Sequence, residues 1–353
     1  MAEKLGVGII GVGSIASMCH IPGYQAIADR VEVRAVADVV EERAREVAAE
    51  FSVPRAFADY RQLLELPEID LVSVCVPPFA HRDCAVDALG AGKHVLCEKP
   101  MAMNSAEAGE MIAAAESAGK KLSVQFQTRQ TPQARLLKSK IEQGELGRIY
   151  FARAQYLRRR GIPSWGMFHS RAHNGGGALI DVGVHILDLT MWLMGSPKPV
   201  AAFGSTFDYL GRRDDIWNSF GPHNHAEFDV DDSAFACVKF DNGAIVNFEC
   251  SWAANFQARA QQQLTIAGDR GGAQVFPLKL FGDDGDALYD IEPGPFEELD
   301  YKAQHRAAID RFVDAVENDR PVLVEPQQAR AVTQVIDAIY ESTESGGLAR
   351  IGT

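Results

Sequence analysis

Residues 5–10 form a short apolar run, broken by Gly11-Val12-Gly13-Ser14-Ile15-Ala16 and followed by a helical pattern over 17–28. A second apolar run over 33–37 ends in Asp38. Strand, Gly-x-Gly-x-x-Ala turn, helix, and a second strand closed by an acid together predict a parallel βαβ unit built to hold a dinucleotide. Gly11 permits the tight turn, Gly13 lets backbone approach a pyrophosphate, and Ala16 keeps the helix close to the sheet. The amides of Ser14 and Ile15 open the helix and are expected to face phosphate oxygens. Asp38, twenty-five residues past Gly13, is expected to accept from the adenosine ribose hydroxyls. Its charge repels a 2′-phosphate, which favours NAD; NADP stays open because Arg43 or another base could swing across. An ordinary strand-to-helix turn is the bland alternative.

The alternation continues with helices over 41–51, 81–91 and 107–118 and strands over 71–76, 94–97 and 122–126. Strands separated by helices at this interval pair in parallel through crossovers. A dinucleotide-binding domain over 1–127 follows. After a helix from Thr131-Pro132 to about residue 143 the texture changes, with strands expected over 147–157, 200–209, 232–239, 244–252, 261–267 and 273–280. Asp241-Asn242-Gly243 is a hairpin signal, so this sheet is read as mainly antiparallel. One apolar helix over 178–194 crosses it. Helices over 301–317 and 325–341 are separated by Arg320-Pro321, and Ser345-Gly346-Gly347 is left as a tail or small docking segment. Residues 128–353 make a substrate and oligomerisation domain, its C-terminal helices free to pack back on the first.

With 48 acids against 35 bases the formal charge is -13, which argues against an extended nucleic-acid or anionic-membrane surface. No basic leader precedes an apolar segment, and no run reaches the roughly 18–20 apolar residues that cross a bilayer. A cytoplasmic protein is the expectation. Six cysteines without CxxC spacing read as free, partly buried side chains.

Chemistry is expected where parallel strands end. Cys75-Val76-Pro77-Pro78-Phe79-Ala80-His81 leaves one strand there; Pro77 could wall the dinucleotide and His81 touch it, or His81 could simply cap a helix. Glu98-Lys99-Pro100 leaves the next. Lys99 could stabilise charge on a reacting oxygen and is also expected at the cofactor, while Glu98 holds the lysine or lines the cofactor site. Asn174-Gly175-Gly176-Gly177 then precedes a helix bearing Asp181 and His185, four residues apart and on one face. A carboxylate beside an imidazole favours its protonated form, so His185 could take and return a hydroxyl proton. The pair could equally be two polar groups satisfying one another inside an apolar helix.

Taken together, GVGSIA, CVPPFAH, CEKPMAMN, GGGALIDVGVHILD and the terminal RFVDAVENDRPVLVEPQQARAVTQVIDAIY resemble the Gfo/Idh/MocA family of sugar and polyol oxidoreductases over nearly the whole chain. The resemblance implies an α/β chain: an N-terminal Rossmann domain plus a C-terminal α/β domain with a large, mainly antiparallel open sheet. It implies Lys99, Asp181 and His185 as the catalytic group, with His185 the acid/base and the other two positioning the hydroxyl. Arg129, in QFQTRQTP, takes a basic position implied to line the substrate cavity. NAD is the implied cofactor and a homodimer or homotetramer the implied assembly, contacting through the sheet.

Arg153, Tyr156, Arg158, Trp165, His169, Arg171 and His173 crowd the segment before the catalytic helix and supply rings and donors suited to a sugar or cyclitol. Of these, Tyr156, Trp165 and His169 are expected in the substrate site. Arg158-Arg159-Arg160 also reads as a solvated or intersubunit run. His223 and His225 read as solvent or entrance residues, and Trp252, Asn255 and Phe256 as wall or packing. The histidines give no compact metal signature, so no metal is expected. Reversible oxidation of a secondary hydroxyl on a sugar, sugar derivative or inositol is the leading expectation. A sugar oxidoreductase that retains and recycles its dinucleotide, and a non-catalytic dinucleotide or sugar sensor, are the alternatives.

Overall fold

The computed structural model describes residues 4–352. It divides into two compact units: residues up to Ala102 with Ala106–Gln130 and Leu299–Arg330, and Met103–Ser105 with Thr131–Glu298 and Ala331 onward. Residues 299–330, which follow the second domain in chain order and whose helix the sequence leaves free to pack back, group with the first unit.

The first unit is a six-stranded parallel sheet of β1 (Leu5–Ile10), β2 (Val31–Ala37), β3 (Arg55–Phe57), β4 (Leu71–Val74), β5 (His94–Cys97) and β6 (Leu122–Val124). Its order is β3-β2-β1-β4-β5-β6. From β1 the chain moves outward to β3 and then returns to lay β4 against the other side of β1, a switch point where ligands collect beyond the strand ends. The core joins Val7, Ile9, Val33, Val36, Leu71 and Leu96 of the sheet to Ile309, Phe312 and Val313 of the helix Tyr301–Glu317. Their three-and-four spacing gives that helix one apolar stripe. Arg30 bonds Glu317 at 2.6 Å and also bonds Asp310, which fastens the helix rim. Ile309 is wholly buried, so Ile309→Ala is expected to cost about 2–5 kcal/mol in denaturant unfolding. A loss under about 1 kcal/mol would contradict this helix as part of the first core.

The second unit is a nine-stranded sheet of β7 (Ile149–Arg158), β8 (Pro199–Phe207), β9 (Ser233–Phe240), β10 (Ile245–Ser251), β11 (Ala260–Gly268), β12 (Gly272–Gln274), β13 (Lys279–Asp283), β14 (Leu288–Ile291) and β15 (Ala349–Arg350). The order is β14-β13-β12-β11-β7-β10-β9-β8-β15, antiparallel throughout except for the parallel pair β7 and β10. The run over 273–280, expected as one strand, is two, because Pro277 has no amide to give a ladder. The segment after Gly347 docks as β15 on β8.

The helix over 178–194 starts as a π-helix, Leu179–Gly183, and continues as the α-helix Val184–Leu193 against one face of this sheet. The stretch Arg171–Leu193 is long and apolar enough to span a bilayer by length and composition, at mean hydropathy 1.3, contrary to the expectation of no such run. Of its apolar window 83% is buried inside the protein, as a core helix requires. On the sheet, Ala202, Val238 and Val246 are buried, while their neighbours Phe203, Cys237 and Ile245 are exposed.

Candidate active site

At the end of β1, Gly11 has φ +85°, and a Cβ there would lie 2.8 Å from the Cys75 backbone, so glycine is required. A Cβ on Gly13 would meet nothing within 4 Å. The turn therefore leaves an open cradle beside exposed Ser14 and half-buried Ile15, whose helix-opening amides have no intrahelical acceptor. Asp38 closes the cradle. Its Oδ2 accepts from Val12 N at 3.1 Å, its Oδ1 accepts from Val40 N at 2.9 Å, and Arg43 Nη2 stands 3.4 Å from Oδ1. A carboxylate has about four acceptor positions, so two amide bonds fix it and leave capacity for ribose hydroxyls. These residues fit a dinucleotide: Gly11, Gly13, Ser14 and Ile15 at the pyrophosphate, and Asp38 at the ribose.

Pro77 is exposed at the end of β4 and remains available to such a ligand. His81 does not. It is wholly buried, with Nδ1 2.7 Å from Pro100 O and Nε2 2.9 Å from Val76 O. Burial lowers its pKa. Its ring ties the turn after β4 to the turn after β5, so the cofactor contact expected for it is replaced by a strut.

Glu98 is buried at the end of β5. Its Oε1 accepts from His20 Nε2 at 2.8 Å and lies 3.7 Å from His305 Nε2, while Oε2 accepts from Lys99 N at 3.1 Å. Burial works to raise the Glu98 carboxyl, but the contacts of His20 and His305 and the positive charge beside it outweigh that and hold the group well below the usual carboxylate range. For His305, burial works to lower the pKa, yet Cys19 and Glu98 push it up to about 10. Neither histidine was expected. His20 sits in the π-helix Ala16–His20 directly after the glycine turn, and His305 on the apolar stripe of its helix, where a polar residue was the available signal. Lys99 itself is half-buried.

Arg129 departs from its expected place in the substrate cavity. It is 1% exposed, and Nη1 donates to Leu323 O at 3.1 Å and Gln328 Oε1 at 2.7 Å, clamping the returning C-terminal segment.

In the second unit, residues 176–191 are buried except for Asp181 and His185. The N-terminus of their helix is held by buried Asp231, which accepts from Gly177 N (2.8 Å), Leu179 N (2.8 Å) and Tyr340 OH (2.7 Å). A Cβ on Gly177 would come 1.9 Å from Asp231 O, so only glycine admits this approach. Trp252, wholly buried, donates Nε1–H to Asp181 Oδ2 at 2.8 Å and so orients the carboxylate rather than walling a cavity. Two side chains one turn apart thus break the buried run over 176–191, one of them fixed by a buried indole. Such a pair can hold a hydroxyl and move its proton.

Around this helix, Phe168 packs edge-on against Trp252, and Trp165 against Phe168 and Phe220, with Trp165 half exposed. Tyr156 is half-buried beneath Arg158, whose guanidinium also lies over Phe220. His169 Nε2 is 3.2 Å from Asn224 Nδ2 and 3.8 Å from Glu227. His173 bonds Ser170, Arg171 stacks on Tyr340, and His223 bonds Gly211 O. The arginine run is internally bonded, Arg158 to Gly161 O and Arg160 to Asn255. Phe256 packs on Phe235. Arg153, out on the sheet, pairs with Glu249. Among the described residues no three histidine, cysteine, aspartate or glutamate side chains form a metal-binding group.

Two family models match the sequence: an oxidoreductase family with an NAD-binding Rossmann fold over residues 5–126, and a GFO/IDH/MocA C-terminal domain over 134–274. D-Glucoside 3-dehydrogenase of Escherichia coli (strain K12) is 32% identical over 345 residues, covering 98% of this chain and 97% of that protein. Levoglucosan dehydrogenase of Pseudarthrobacter phenanthrenivorans is 32% identical over 272 residues, 70% of this chain and 68% of that protein. A solved structure of levoglucosan dehydrogenase in complex with NADH shares the fold at TM-score 0.85 and 24% identity, covering 99% of this chain and 100% of the other.

Proposed function

The chain belongs to the Gfo/Idh/MocA oxidoreductase family with an NAD-binding Rossmann domain, and on that premise we propose that it reversibly oxidises one secondary hydroxyl of a sugar, sugar derivative or inositol to a ketone. The observation that carries this reading is that Asp181 and His185, one helical turn apart, are the two partly exposed side chains in the otherwise buried run 176–191. Two relatives named for dehydrogenating sugars, D-glucoside 3-dehydrogenase and levoglucosan dehydrogenase, favour a sugar or sugar derivative over an inositol.

When bound, NAD supplies the hydride acceptor. His185 takes the hydroxyl proton and returns it in the reverse direction. Asp181, fixed by Trp252, favours the imidazolium that results and orients the hydroxyl. Lys99 donates to the reacting oxygen and stabilises charge on it. Gly11, Gly13, Ser14, Ile15 and Asp38 hold the nucleotide, with Pro77 and Glu98 at the neighbouring strand ends. Tyr156, Trp165 and His169 select the sugar through ring stacking and hydrogen bonds.

The test is nicotinamide absorbance with NAD and with NADP across glucosides, anhydrosugars, hexoses and inositols. Turnover on none of them, with the nucleotide still bound tightly, would favour the sensing alternative. Turnover of a sugar pair without exchange of added nucleotide would favour the retained-dinucleotide alternative. Asp38→Ser removes a charged acceptor, whose bonds are worth about 1.5–3 kcal/mol, so the ratio of NADP to NAD kcat/KM is expected to rise by roughly 10–150-fold. An unchanged ratio would remove Asp38 from ribose recognition.

The exposed sheet face bearing Phe203, Cys237 and Ile245 supports a homodimer or homotetramer contact, checked by light scattering with Phe203→Glu. A cytoplasmic location is part of the same reading, supported by six free thiols.

A further inference from the structure

The reaction as read above uses Lys99 and leaves unexplained the buried charge behind it. A carboxylate as buried as Glu98 persists where it is paired. Here two histidines meet it from opposite ends of the sequence, His20 from the helix after the glycine turn and His305 from the C-terminal helix. Both address Oε1, and Oε2 is left for the Lys99 amide.

Donors and acceptors assign the protons. His305 Nδ1 lies 2.9 Å from Tyr301 O and its Nε2 stands 3.7 Å from Glu98 Oε1, at ion-pair distance, so the doubly protonated ring gives Tyr301 O a donor and Glu98 a cation. His20 stands between a donor and an acceptor. Its Nδ1 is 3.1 Å from Ser73 Oγ, which is 2.8 Å from Tyr24 OH, so protons can run Tyr24 to Ser73 to His20 to Glu98 without a conflict. The other titratable groups facing the cluster are Cys19 and Tyr24 from the first helical segments, Cys75 from the turn after β4, His81 from the helix that follows it, Cys97 from β5, Lys99, and Tyr301. Burial raises Tyr24, Cys75 and Cys97 and lowers His81, which keeps these four neutral and leaves His305 as the imidazolium beside Glu98.

We infer that His305 and His20 are positioning residues for Lys99: they lock the Glu98 carboxylate, and its second oxygen fixes the Lys99 backbone at the end of β5. A helix about two hundred residues downstream thereby sets the aim of the lysine. The inference rests on the role given to Lys99 above.

His305→Leu removes the cation and His305→Gln restores a donor to Glu98. His305→Leu is expected to lower kcat by about 10–100-fold, the scale of a small misplacement of a catalytic group, with NADH Kd and sugar KM within about twofold. His305→Gln should recover most of that loss. In ring-nitrogen NMR of the wild type, His305 should stay doubly protonated to about pH 10 and revert toward the ordinary value near 6.5 in Glu98→Gln. Unchanged kcat in His305→Leu, equal losses in both variants accompanied by weakened NADH binding, or a neutral His305 at about pH 8 would each overturn the inference. If the wild type turns over no sugar, the reading of the reaction falls separately. The acylation rate of Lys99 relative to Lys120, followed by mass spectrometry, then decides: a change of about threefold or more in His305→Leu supports positioning, and an unchanged ratio overturns it.

Discussion

Lys99→Met and His185→Asn are each expected to lower sugar turnover by about 10²–10⁴-fold, the range for loss of a positioned acid, base or oxyanion donor. NADH affinity should hardly move, because the cradle of Gly11, Gly13 and Asp38 is built from other elements. Steady-state kinetics at saturating sugar, with NADH fluorescence titration beside them, measure both quantities. If both variants turned over at the wild-type rate, the assignment of the chemistry to these residues would be wrong.

The largest folding effect is expected at Asp231. Asp231→Leu leaves three buried donors, Gly177 N, Leu179 N and Tyr340 OH, without their acceptor. At about 1–3 kcal/mol for each unsatisfied group, a loss of roughly 4 kcal/mol is expected in urea unfolding. A loss below about 1 kcal/mol would mean that the helix carrying Asp181 and His185 is held by something else. Neighbouring Asp232 adds a pH signature. Burial, eased by bonds from Gly211, Ser233 and Leu210, pushes its carboxyl from 3.8 up to about 6. The folded state therefore binds this proton more tightly than the unfolded one, and Asp232 withdraws stability as pH rises from 3.8 to about 6.

Elements with strong local signals were legible to the residue. The strand His94–Cys97 and the helix Tyr301–Glu317 fall where apolar pattern alone put them. The three-residue β3 and the exposed β14 carry too short or too weak an apolar signal to be read, and Pro277 breaks a strand that hydropathy alone runs together. Within the site, the glycine turn was readable because its function is a backbone shape. Arg129 and His81 were misplaced for a different reason. Position in a motif says which turn a residue occupies, whereas burial depends on what packs over it, and Arg129 is covered by Leu323 and Gln328 from far along the chain. His20 and Glu98 are seventy-eight residues apart, so no local pattern could pair them.

Closure of the first unit by residues 299–330 has a consequence for biosynthesis. A Rossmann domain encoded at the start of a chain is ordinarily a candidate to fold as it leaves the ribosome. Here Ile309, Phe312 and Val313, together with the imidazolium beside Glu98, are translated long after β6, the last strand of the sheet they cover. The nascent parallel sheet must therefore wait, with part of its core missing and a buried acid without its full set of partners, until the helix Tyr301–Glu317 has emerged. A nonsense codon anywhere before residue 299 would deprive both units of their final elements, and a fragment ending near residue 127 should be a substrate for proteolysis rather than a free-standing nucleotide-binding module.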